Sequence, residues 1–157
     1  MKAASISEVK KELSHLDLKH VQEICMRLAK YKKENKELLT YLLFEAHDEQ
    51  SYVNGVKAEI DELFETLPEK NVYLIKKMLR KILRIANKQI KYSGIKETEV
   101  DLRIYFCSKM KADGLHLLPS QVLVNLYEGQ LKKIDTALAS LPEDLQYDYK
   151  KDLNKLI

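Results

Sequence analysis

Apolar residues recur along the chain three and four positions apart rather than two, and only four glycines and three prolines interrupt them. That spacing gathers apolar side chains on one face of a helix, so it predicts an all-α fold of about eight helices. A first short helix starts at Ser5, because Glu8 follows at the reciprocal spacing of a capping box. A second begins near Asp17 and aligns Val21, Ile24, Cys25, Leu28 and Ala29 on one side. A third, over about 36–46, gathers Leu38, Leu39, Leu42, Leu43 and Phe44 into a stripe wide enough to predict burial against more than one neighbour. After a polar break, a fourth covers about 52–66 with Val53, Val56, Ile60, Leu63 and Phe64 inward. A fifth covers 67–92 and stops at Ser93-Gly94, where glycine can take the left-handed C-cap conformation. The sixth covers 97–112, with Val100, Ile104, Phe106, Cys107 and Met110 inward, and ends at Asp113-Gly114. A seventh follows Pro119 and an eighth fills 142–157. The links are short, which favours antiparallel neighbours.

Two stretches of this pattern match each other. Residues 60–83 and 134–157 align without gaps at an offset of 74, with ten of 24 positions identical. The identities include Ile60 with Ile134, Leu67-Pro68-Glu69 with Leu141-Pro142-Glu143, Tyr73 with Tyr147, and Lys77 and Lys81 with Lys151 and Lys155. Each copy also carries the spacing of a capping box across its Leu-Pro, as Thr66 with Glu69 and Ser140 with Glu143. The chain then reads as a single domain, 1–157: a nine-residue lead and two related units, 10–83 and 84–157, each unable to bury its apolar face alone. In architecture this is similar to α-solenoids such as the HEAT, armadillo and tetratricopeptide arrays. None of their residue signatures is present, and the period exceeds their usual length of roughly 34–47 residues. A plain eight-helix bundle whose hairpins share helix chemistry is the alternative.

Charge is unevenly spread. Residues 70–96 hold nine Lys or Arg and no Asp or Glu, whereas the other 130 residues carry 18 positive and 24 negative side chains, net −6. At about 100° per residue, Lys77, Arg80, Lys81, Arg84, Lys88 and Lys91 share one arc of roughly 100° and form a stripe about 20 Å long, opposite Ile75, Met78, Leu79, Ile82, Ile85, Ala86 and Ile90. Like charges three and four apart repel by a few tenths of a kcal/mol per pair in an isolated helix, so something outside the helix should offset them. The simplest candidate is the preceding segment, 45–69, which is net −7 and would pair rim to rim with the stripe. The second is a nucleic-acid backbone, with Tyr73 and Tyr92 near the ends of the stripe to stack on bases. The third is another anionic partner. Lysines outnumber arginines seven to two in the segment, so binding to nucleic acid would be independent of base sequence.

The remaining side chains add no catalytic signature. His15, His20, His47 and His116 and the two cysteines have no metal-ligand spacing, and no glycine-rich loop precedes a Lys-Ser or Lys-Thr pair. Cys25 and Cys107 lie within apolar stripes and read as small core residues. The glutamate and aspartate residues around His47 read as a polar turn. The charge-free run 114–127 contains Pro119 and several polar residues and is too short to span a bilayer. No signal-peptide pattern opens the chain, and a cytoplasmic location without membrane contact is expected. The sequence therefore predicts a non-catalytic, cofactor-free helical interaction or scaffold module whose partner is another protein. Sequence-independent nucleic-acid binding through helix 70–96 is the alternative.

Overall fold

The computed structural model describes residues 1–157, of which 81% are helical, in eight α-helices and two short turns, with no strand. The helices are α1 (Ile6–Ser14), α2 (Leu18–Tyr31), α3 (Lys33–Thr40), α4 (Glu49–Glu65), α5 (Val72–Ser93), α6 (Lys96–Ala112), α7 (Gln121–Leu138) and α8 (Glu143–Leu156). A π-helical turn, Tyr41–Glu45, follows α3, and a short 3-10 turn, Leu115–Leu117, precedes α7.

Local chemistry sets most of the ends. The Ser5 hydroxyl accepts from the Glu8 backbone N–H while the Glu8 carboxylate accepts from the Ser5 N–H, the expected capping box. Asp17, Asp48 and Asn71 cap α2, α4 and α5 with side-chain oxygens. Gly94 and Gly114 stop α5 and α6 at φ of 67° and 65°, a conformation that strains any residue with a Cβ. The two boxes expected across the Leu-Pro pairs do not form. Thr66 Oγ1 donates to Leu63 O and Ser140 Oγ donates to Ala137 O, both at 2.7 Å, so each hydroxyl is spent on a carbonyl in the last turn of the helix it ends, one that also accepts the same residue's backbone N–H. α5 consequently starts at Val72, five residues later than the sequence pattern suggests, and α8 starts after Pro142 without a side-chain cap.

The chain divides into two compact parts, Met1–Phe44 and Glu45–Ile157. The dividing point of the sequence units, between residues 83 and 84, falls instead inside α5. In the C-terminal part α6 is the central element and packs against α4, α5, α7 and α8. Its sequence is apolar on several sides, and Val100, Leu102, Phe106, Cys107 and Met110 are all fully buried. Phe64 of α4 meets Phe106 edge to face, with ring centroids 5.8 Å apart. Positions matched at the offset of 74 share their surroundings: Ile60 and Ile134 are buried, as are Leu79 and Leu153, and Ile82 and Leu156. Tyr73 and Tyr147 are both exposed.

The N-terminal part differs. α2 and α3 pack on one another across a single extended residue, Lys32, and the Asn35 amide closes the break by donating to Leu28 O at 2.8 Å. Only Tyr41 is buried among residues 1–44. Leu38, Leu42, Leu43 and Phe44, expected inside, are exposed, and so are Ile24, Cys25 and Leu28 on α2. The physical reason is that a two-helix hairpin offers each helix one neighbour, so apolar surface beyond that contact stays open.

Candidate polyanion interface

α5 is amphipathic along its whole length. Ile75, Leu79, Ile82, Ala86 and Ile90 are buried, and this face packs the helix against α4 and α6. The opposite face carries Lys77, Arg80, Lys81, Arg84 and Lys91, which are exposed and make no ion pair. Lys88, also placed on this stripe by the sequence, is half-buried and engaged within the fold. Tyr73 lies one turn before Lys77 on the same arc, 70% exposed. Tyr92, at the other end, is half-buried and already engaged.

The acidic helix is the expected counterweight to these cations, yet none of its carboxylates forms an ion pair with Lys77, Arg80, Lys81, Arg84 or Lys91. Asp61 of α4 accepts from Tyr105 Oη at 2.7 Å and pairs with Lys109 Nζ at 3.0 Å, both on α6. The Tyr105 hydrogen bond, with Lys109 beside it, holds the Asp61 carboxyl below its ordinary range, and burial together with Asp61 pushes the Tyr105 phenol up to about 12. Glu49 accepts from Thr98 Oγ1 at 2.6 Å and from Ser93 Oγ. Lys57, the one cation of α4, pairs with Asp101 of α6 at 2.8 Å. Glu59, Glu62, Glu65 and Glu69 are left in solvent without an ion-pair partner. α4 therefore spends its paired charge on α6 and on the C-terminal end of α5, where Ser93 lies.

Helix α8 supplies an internal comparison. Its Lys151 and Lys155 align with Lys77 and Lys81, but Asp148 and Asp152 stand where α5 has Leu74 and Met78. Those aspartates pair with the lysines at 3.4 and 2.7 Å. Lys151 and Lys155 of α8 carry their own counter-charges, and their counterparts Lys77 and Lys81 of α5 make no ion pair.

One polar network anchors the stripe's helix from behind. The buried Arg103 of α6 donates to Glu99 through Nε and Nη2 at 3.0 and 2.9 Å, and through Nη1 to Asn87 of α5 and Gln130 of α7. Burial opposes ionisation of Glu99, yet hydrogen bonds from Lys96 and Arg103 prevail and lower its pKa. Three helices are thus tied at one guanidinium. No periodicity reveals this network, because Arg103 lies on α6 among residues that alternate without one polar face.

Cys107 is fully buried and burial pushes its thiol up to about 12, which removes the thiolate a nucleophile needs. His116 stacks on Tyr127 with ring centroids 5.2 Å apart, and Tyr127 Oη donates to Leu156 O. No group of three or more His, Cys, Asp or Glu side chains is placed to hold a metal ion, and no helix is long and apolar enough to cross a membrane. No family model, curated protein or solved structure matches the chain.

Proposed function

We propose that this chain is a non-catalytic helical interaction module that holds a nucleic-acid backbone, without sequence preference, on the outer face of α5. The observation that carries the reading is the row Lys77, Arg80, Lys81, Arg84 and Lys91, left in solvent without a carboxylate partner while the nearest acidic helix pairs with α6. A cationic stripe about 20 Å long on one helix matches the spacing over which a backbone presents several phosphates, and releasing their counterions supplies the binding free energy. Lysine provides point charge rather than a fork for base edges, so affinity is shared among sequences. Tyr73, exposed at the end of the stripe, offers a ring on which an unpaired base can stack. The apolar side of α5 is committed to the core, which leaves this face for a partner.

The test is anisotropy of a fluorescein-labelled oligonucleotide, single- and double-stranded and of two unrelated sequences, titrated with the protein at low salt. The expected result is binding of similar strength to both sequences that weakens steeply as salt rises. Absence of binding at low salt would overturn the proposal.

A further inference from the structure

A second surface, independent of the α5 stripe, lies in the N-terminal part. Where α2 and α3 pack together they leave a groove of about 610 Å³. Met26, Leu39, Leu43 and Phe44 form its apolar floor. Lys30, Lys32, Lys33 and Lys36 form its rim, and no Asp or Glu lines it. Met26, Leu43 and Phe44 are 52%, 62% and 65% exposed. Large apolar side chains clustered in solvent mark a surface that gains from being covered.

The rim decides what covers it. Lys30 and Lys36 make no ion pair, Lys32 sits over the ring of Tyr31, and Lys33 has one 3.5 Å contact with Glu37. A second copy seated in the same groove would bring four lysines against four lysines, and the like charges would oppose it. A flat anionic bilayer would reach the lysine tips but leave the concave floor unfilled. A helix with apolar residues at i, i+3, i+4 and i+7 fills a groove of this kind, and acidic residues beside that face meet the rim. Met26 adds an unbranched side chain that adapts to differently shaped anchors.

We propose that the α2–α3 groove docks an amphipathic helix of a partner protein that carries acidic residues on both sides of its apolar face. The experiment uses the full chain and a fluorescein-labelled synthetic peptide of about 18 residues, with Leu at the groove-filling positions and Glu beside them. One control peptide has the same residues shuffled off a common face, and a second has Lys in place of Glu. The expected result is saturable binding of the first peptide and at least about tenfold weaker binding of both controls, as summed rim pairs convert to affinity. Phe44→Glu, at an exposed position, should weaken binding by a similar factor with unchanged helical circular dichroism. The triple change of Lys30, Lys33 and Lys36 to Glu should reverse the preference toward the Lys peptide. Lys77, Lys81 and Arg84→Gln should leave peptide binding unchanged, which separates this groove from the α5 stripe. Equal binding of the shuffled peptide, no response to Phe44→Glu, competition by phosphatidylserine vesicles that bind more tightly, or a dimer that Phe44→Glu dissolves would each overturn the proposal.

Discussion

Replacing Lys77, Lys81 and Arg84 together by glutamine removes three of the five exposed cations of the α5 stripe that have no ion pair and leaves Arg80 and Lys91. If all five meet phosphates of a duplex, log affinity should fall against log salt with a slope of about −4.5, which is a loss of roughly 500-fold between about 50 and 200 mM salt. With two contacts left the slope becomes about −1.8, and the same rise in salt costs only about twelvefold. Salt-dependent anisotropy on one duplex measures both slopes. The three side chains touch no carboxylate, and their removal relieves like-charge pairs three and four apart. The variant should therefore be as stable as the parent or more so, by on the order of 1 kcal/mol before salt screening. That gain corresponds to about 2–4 °C in melting temperature for a chain of this size, which circular dichroism can follow. A variant that stays folded and binds with the parental slope would refute the assignment of phosphate contacts to this face.

Other consequences concern the fold that carries the stripe. Arg103→Ala strips Glu99 of its buried partner and leaves Asn87 and Gln130 without their donor, so urea unfolding should show a loss of about 3 kcal/mol. A loss below about 1 kcal/mol would mean the network contributes little. Asp61 and Glu99 have folded pKa values below their unfolded ones, so their stabilisation is full above the ordinary carboxylate range and is lost as pH falls through that range and the lower folded values. Melting temperature should drop on acidification, and Asp61→Asn should flatten that drop; a melting temperature unaffected by acid would contradict the pairing. A thiol reagent should modify one cysteine of the native chain rapidly, the exposed Cys25, and the buried Cys107 only after denaturant is added. Rapid modification of both would show that α6 is not central to the core.

The elements that sequence pattern placed correctly are those whose evidence is local. Ser5 with Glu8, Asp17, Gly94 and Gly114 mark helix ends within one turn of themselves, and the inward faces of α4 and α5 follow from periodicity along a single helix. The expected boxes at Thr66 and Ser140 failed for an equally local reason. Each hydroxyl has two backbone groups within reach, and the carbonyl three residues back competes with the amide three residues ahead. Spacing alone does not choose between them.

By itself the sequence determined that the chain is helical, roughly where each helix lies, and that one arc of α5 is cationic, because these depend on contacts three and four residues apart. Tertiary structure decided which carboxylates meet which cations. Asp61 and Lys109 are 48 positions apart and pair because α4 crosses α6, which leaves the α5 stripe without them. It also decided that Leu43 and Phe44 stay exposed while Phe106 is buried. An apolar face states only that burial would be favourable; burial itself requires neighbours on every side, and α6 has four helices around it where α3 packs closely on one.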